Sequence, residues 1–268
     1  MTVRTLTCQV ETVEDLTPDV FRVVLEGRAE AIAHAPGQYL ELAVDDDTWV
    51  PFSIACAENG EGRLELHIQH WPERTHSARL RELLIHRNRL SVRLPHGDCI
   101  LPADRREPLL LIAAGTGFAQ LKAIVEAALA ENPERRVSIW WAVRERRDLY
   151  AESLAREWAL AHPNVDFHAV VETPEAEFES RPGIVWHQGR IDEALAAELD
   201  AVAGLEIYLA GSPGMVYACV DTLAPMGLTE AQVHSDVFSY APRVPFLPLP
   251  DSDPDQAPLT PGEEREKS

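Results

Sequence analysis

The segment that most restricts this chain is Pro108–Ala119, PLLLIAAGTGFA. An apolar run from Leu109 to Ala114 breaks into Gly115-Thr116-Gly117, and a helix-period pattern starts at once. A strand, a tight glycine turn and a helix N-terminus present backbone N–H groups and partial positive charge to a phosphate. The glycines permit the sharp turn and let a ligand lie against the backbone. A dinucleotide is therefore the first ligand to consider. The motif is shorter than the full dinucleotide fingerprint and does not decide the matter alone.

The pattern around it repeats. Phe118, Leu121, Val125, Ala128 and Leu129 form an apolar helical stripe that Asn132-Pro133 ends. Strands are expected at Pro108–Ala113, Val137–Val143, Val165–Glu172, Leu205–Ala210 and Val233–Phe238, with helices at Leu149–Leu160, Ile191–Leu199 and Met215–Leu223 between them. Strand–helix repetition implies a doubly wound α/β domain on a parallel sheet. The first hundred residues differ. Leu6–Val13, Val20–Glu26, Gln38–Ala43, Arg63–Gln69 and Leu90–Leu94 read as strands separated by turn formers such as Pro36-Gly37 and Asn59-Gly60. That spacing suggests an antiparallel β-barrel, interrupted by one helix around Ser77–Ile85. The expected division is a barrel over 1–103, an α/β domain over 104–240, and a disordered acidic tail over 241–268, where prolines crowd among acidic residues.

Composition narrows the function. A net charge of −20 repels nucleic acid and anionic membranes. No run approaches a membrane span, and the N-terminus lacks an apolar signal core, so a cytoplasmic protein is expected. Cys8, Cys56, Cys99 and Cys219 lie far apart without a Cys-x-x-Cys pair, so no metal site and no disulfide framework are expected.

Three segments carry a family resemblance: Pro36-Gly37-Gln38-Tyr39-Leu40 with Pro51-Phe52-Ser53-Ile54-Ala55; Gly115-Thr116-Gly117-Phe118-Ala119; and Tyr208-Leu209-Ala210-Gly211-Ser212-Pro213-Gly214-Met215. Their order and spacing resemble the ferredoxin–NADP reductase superfamily. Within it the chain looks most like the NAD(P)H:flavin oxidoreductases, which Leu94–Gly97 (LPHG) and the run Trp141 to Tyr150 also resemble. The resemblance covers roughly Thr5 to Tyr240 and implies an N-terminal Greek-key β-barrel for flavin and a C-terminal domain for NADH or NADPH.

What it implies for residues follows. Ser53 is the expected catalytic group, its hydroxyl beside flavin N5, where a donor–acceptor suits both redox states. Tyr39, Pro51, Phe52, His67, Pro95, His96, Gly97 and Phe238 are expected around the flavin, with Tyr240 less expected as a lid because the chain runs on past it. Gly115, Thr116, Gly117, Arg144, Ala210, Gly211, Ser212 and Pro213 are expected around the nicotinamide nucleotide. Arg144, Arg146 and Arg147 hint at tolerance of NADPH. Two departures matter. Val50 stands where the family usually has an arginine for a flavin phosphate, with Arg63, Arg74 and Arg79 as possible substitutes. Ala210 stands where many members have cysteine. Val50 points to a weakly held, exchanging flavin (riboflavin, FMN or FAD) rather than a tightly gripped FAD. The expected activity is hydride transfer from nicotinamide C4 to flavin N5. The rivals are a flavoprotein electron-transfer component serving a separate oxygenase or redox partner, and a non-catalytic nucleotide-binding protein that has lost flavin.

Overall fold

A computed structural model of the chain describes residues 2–58, 60–70, 75–174 and 181–247. Arg74 and the tail beyond 247 lie outside the described residues. The N-terminal strands are β1 (Arg4–Thr17), β2 (Val20–Glu26), β3 (Tyr39–Ala43), β4 (Trp49–Ser53), β5 (Arg63–Gln69) and β6 (Arg89–His96). They form one antiparallel sheet in the order β4-β3-β6-β1-β2-β5. Its two edges meet where Ile54 bridges Leu66 and the Ala55 N–H donates to the Glu65 carbonyl at 2.7 Å. The sheet thereby closes into a barrel and hides its edge groups. Strand alternation puts Leu40, Leu42, Leu64, Leu66, Val92 and Leu94 inside, all fully buried. A short helix, α1 (Ala29–Ile32), and a longer one, α2 (Thr75–His86), lay Ile32, Leu80 and Leu84 against this core.

The second half runs β7 (Leu109–Ala114), α3 (Phe118–Glu131), β8 (Val137–Val143), α4 (Glu152–Ala161), β9 (Val165–Val171), β10 (Val185–Gln188), α5 (Ile191–Glu198), β11 (Glu206–Ala210), α6 (Pro213–Leu223), β12 (Val233–His234) and α7 (Val237–Tyr240). All six strands are parallel, in the order β10-β9-β8-β7-β11-β12. Both faces of the central strands β7, β8 and β11 are covered, so these are largely apolar rather than alternating, while β9 carries Asp166 and His168 and the edge strand β10 is partly exposed. Trp141 stacks on Phe118 of α3 at 4.0 Å, while its neighbour Trp140 enters the opposite layer with α5 and α6. The strand order reverses between β7 and β11, and a crevice at such a reversal is where open α/β sheets bind ligands.

Five stretches differ from the sequence expectation. β1 extends to Thr17 because bulges at Val10/Thr12 and Asp15/Thr17 bend it from β6 onto β2, which breaks the simple alternation. β4 runs from Trp49, where the resemblance implies only a strand end at Pro51–Ser53, and the edge strand β10, four residues long, has no counterpart in the expectation. α4 starts at Glu152, after a separate turn over Arg146–Asp148 closed by a reciprocal Glu145–Asp148 cap. The last strand stops at His234, and Val237–Tyr240 is a helical turn whose start is held by the Ser235 hydroxyl, which accepts the Val237 N–H at 3.3 Å.

Candidate active site

The two turns at the strand reversal are built on each other. A side chain at Gly117 would place its first carbon 2.1 Å from the Ala210 carbonyl oxygen, so the start of α3 docks on the end of β11 only because Gly117 has none. Gly115 is different: its φ is +54°, and the space a side chain would enter is open. The Trp141 indole N–H donates to the Gly115 carbonyl at 2.9 Å and holds the turn from beneath. Across the crevice Ser212 caps α6, its hydroxyl accepting the Met215 N–H at 3.3 Å, with Pro213 at the first helical position. Two helix beginnings thus face one space.

The barrel forms the other wall. Tyr39, Pro51, Phe52 and Ser53 border a cleft of about 550 Å³ whose far side is Gly115–Gly117 and Ala210–Ser212. A second lobe of about 340 Å³ continues from it past Gln69, Ala114 and Thr116 to Arg144, Arg147 and Glu172. The whole is of ordinary ligand-site size and runs between the two halves of the molecule. The hydroxyls of Ser53 and Thr116 border the cleft without a hydrogen bond to another described residue.

Other expected site residues are distributed unevenly. His67 borders the cleft but is buried, with one ring nitrogen 2.8 Å from a Glu65 oxygen and the other 3.1 Å from the Tyr150 hydroxyl. His96 stacks on Tyr39 at 5.3 Å and faces Glu41, outside the cleft lining, and Pro95 is buried in β6. Gly97 closes behind Tyr39: a side chain there would meet the Tyr39 ring and Asp236 at about 3 Å. Phe238 packs on Tyr217 and Phe246, while Tyr240 borders the cleft. Arg146 lies over the Trp186 ring and so points away from the second lobe. Val50 packs against the barrel core. Arg63 pairs with Glu11 and Arg79 with Asp45, and neither borders the cleft.

Sequence reasoning missed Gln69, Gln120 and Asp236, and it preferred Phe238 to Tyr240, the aromatic that borders the cleft. Gln120 donates to the Gly37 carbonyl at 2.6 Å and to Asp236 at 2.8 Å, joining the barrel, α3 and the turn before α7. Burial raises the Asp236 carboxyl above its ordinary range, against the Gln120 hydrogen bond that lowers it. A signal existed: Gln120 and Lys122 interrupt an otherwise apolar first half of α3, and polar groups in such a run need partners.

The residues fit a flavin and a nicotinamide nucleotide. The glycine turn leaves open space where a side chain would stand, and unpaired hydroxyls and helix beginnings face that space from both walls. Residues 7–100 match the family model "Oxidoreductase FAD-binding domain" and residues 111–221 match "Oxidoreductase NAD-binding domain". The chain belongs to the ferredoxin–NADP reductase superfamily. This reductase is 28% identical over 241 residues to the NAD(P)H-flavin reductase of Aliivibrio fischeri, covering 88% of this chain and 99% of that one. It is 29% identical over 236 residues to the CDP-6-deoxy-L-threo-D-glycero-4-hexulose-3-dehydrase reductase of Yersinia pestis, covering 88% of this chain and 69% of that protein. The crystal structure of the Amycolatopsis cytochrome P450 reductase GcoB matches with a TM-score of 0.75 and 28% identity, over 92% of this chain and 71% of that chain. The reductase is an NAD(P)H-dependent oxidoreductase with a flavin site. Among the described residues no group of acidic, histidine or cysteine side chains is arranged to hold a metal, and no helix is long and apolar enough to cross a membrane.

Proposed function

We propose that the reductase takes free flavin as an exchanging substrate and reduces it with NAD(P)H. The observation that carries this reading is the charge of the larger lobe. No arginine or lysine borders it among the described residues, and Val50 faces the barrel core. A site without a cation has no strong hold on a flavin phosphate, so recognition falls on the ring. When bound, flavin accepts a hydride from the nicotinamide ring, and that chemistry belongs to the two ligands.

The chain's contribution is placement. Gly115–Gly117 and Ala210–Ser212 seat the nicotinamide end, and the open second lobe takes the adenosine end beside Arg144. Pro51 and Phe52 provide an apolar wall for the flavin, and the Ser53 hydroxyl orients its central ring by donating or accepting as the redox state requires. Both His67 nitrogens are already engaged, so His67 supports the wall rather than supplying a proton to the cleft.

The deciding experiment is steady-state NAD(P)H oxidation with riboflavin, FMN and FAD side by side, combined with the absorbance of the protein after gel filtration. A colourless protein whose KM values for the three flavins fall within about threefold of one another is expected, because ring recognition ignores the phosphate. Flavin retained stoichiometrically through gel filtration would instead support the second reading. In that reading the chain is an electron-transfer component for a separate oxygenase or other acceptor; the Yersinia and Amycolatopsis proteins are named as a dehydrase reductase and a cytochrome P450 reductase.

A further inference from the structure

The two seats of the reaction lie on different halves of the molecule, so their separation depends on how the halves dock. One string of buried polar side chains crosses that junction. Lys122, in the second turn of α3, is nine-tenths buried and donates to the Ala55 carbonyl of the barrel at 2.8 Å. Its ammonium also lies 3.3 Å from Glu65 on β5 and 2.7 Å from Glu126 on its own helix. Glu126 in turn accepts the Ala57 N–H at 3.2 Å. Glu65 faces His67 Nε2 at 2.8 Å, and His67 Nδ1 meets the Tyr150 hydroxyl, back on the α/β half, at 3.1 Å.

The hydrogen-bond directions are consistent along the string. Burial alone would raise the Glu65 carboxyl, but the His67 hydrogen bond and the Lys122 charge outweigh it and hold it at about 2. Burial would lower the Lys122 ammonium, but Glu65 and Glu126 outweigh it and raise it. Both therefore stay ionised at neutral pH. An ionised Glu65 can only accept, so His67 carries its proton on Nε2, and Nδ1 accepts from the Tyr150 hydroxyl. Every member has a partner.

The position of the string gives it a meaning beyond cohesion. Ala55 is separated from Ser53 by Ile54 alone, and Lys122 follows Gly117 within the opening turns of α3. Lys122 is thus a short rigid strut between the flavin wall and the nicotinamide turn. We propose that Lys122, Glu65, His67 and Tyr150 are positioning residues, forming an inter-domain latch that sets the ring-to-ring distance for hydride transfer. This rests on the reading of the cleft given above. Hydride transfer needs reacting atoms about 3–3.5 Å apart, and a displacement of about 1 Å costs about a hundredfold in rate.

Three variants test the latch: Lys122→Met, Lys122→Arg and Tyr150→Phe, the last removing only a hydroxyl. Two readouts are needed. In the free protein, amide exchange over residues 53–57 should quicken by about tenfold in Lys122→Met, because the local opening cost falls. With riboflavin and C4-deuterated NAD(P)H, turnover should fall by about 10- to 100-fold in Lys122→Met and about 3- to 10-fold in Tyr150→Phe, with a larger primary isotope effect in both. Lys122→Arg should recover most of the rate, and riboflavin affinity by fluorescence quenching should stay within about twofold throughout. Unchanged turnover and isotope effect in folded Lys122→Met and Tyr150→Phe would overturn the latch, as would a loss of flavin affinity that tracks the loss of rate. If Lys122→Met does not fold, Tyr150→Phe decides by the same criteria. A wild-type protein without flavin-dependent NAD(P)H oxidation would undo the functional reading instead, and the exchange measurement would then decide the latch alone.

Discussion

At the scale of single residues, the cleft depends on what is small as much as on what is reactive. Ser53 brings a hydroxyl to the barrel wall beside the apolar Pro51–Phe52 ledge, across the strand pair from Tyr39. Replacing Ser53 by alanine should slow flavin bleaching in stopped flow by about tenfold, the worth of one hydrogen bond of about 1.4 kcal/mol. Full speed in Ser53→Ala would remove the hydroxyl from the mechanism. The two glycines of the β7 turn should behave differently. At Gly117 an added methyl collides with the Ala210 carbonyl, so Gly117→Ala should destabilise the fold by about 2 kcal/mol or more and weaken NAD(P)H binding together. At Gly115 the space is open and only the positive φ resists, so Gly115→Ala should cost about 1 kcal/mol of stability and act mainly by crowding the ligand. Urea melts with and without NAD(P)+ separate the two patterns. The turn glycines and Ser212 were legible in the sequence because each has a local backbone job, whereas Ser53 was singled out by the family resemblance. Asp236, Gln120 and Tyr150 were not legible, since their partners lie far along the chain.

At the scale of elements, strands with a single clean period were readable and bent or short ones were not. β2 and β5 occupy the spans their alternation suggests, whereas β1 is longer than its pattern because bulges shift the register. The segment after β12 is the instructive case. Val233–Phe238 has strand-like residues, yet Ser235 and Asp236 turn the chain at the cleft, and Tyr217 then holds it by donating to the Ala241 carbonyl at 2.8 Å. This turn buries the Asp236 carboxylate at a cost. Because burial raises its folded value above the ordinary 3.8, the charged form opposes folding at neutral pH, and the opposition vanishes once the group is protonated in both states. Asp236→Asn keeps an acceptor for Gln120 and should therefore be more stable than wild type at pH 7 by up to about 1 kcal/mol, with no advantage below about pH 3.8. Paired urea melts at pH 7 and pH 3.5 check the sign. An advantage that is unchanged at pH 3.5 would mean that the carboxylate charge is not its source.

At the scale of the whole molecule, the barrel and the parallel sheet were each apparent from strand spacing and from the strand–helix repeat, but their docking was not. Docking is made by groups such as Glu65, Lys122 and Tyr208, whose hydroxyl donates to the Ile100 carbonyl at 2.9 Å, and nothing in the local sequence around them names the partner. The chain carries 44 acidic residues against 24 basic ones, a net charge of −20, so the carboxylates in excess add repulsion. Glu65 is matched by Lys122, and its folded value of about 2 lies below its ordinary 4.5. Its contribution is therefore complete above about pH 4.5, declines as the pH falls, and is gone near pH 2. Glu65→Gln leaves Lys122 with Glu126, so the loss at pH 7 should be about 2 kcal/mol, less than that for stranding a buried ion completely. The gap between wild type and Glu65→Gln, followed by tryptophan fluorescence in urea, should be widest at neutral pH and close steadily from pH 4.5 downward. A gap that stays constant down to pH 3 would show that Glu65 acts through packing rather than through its charge.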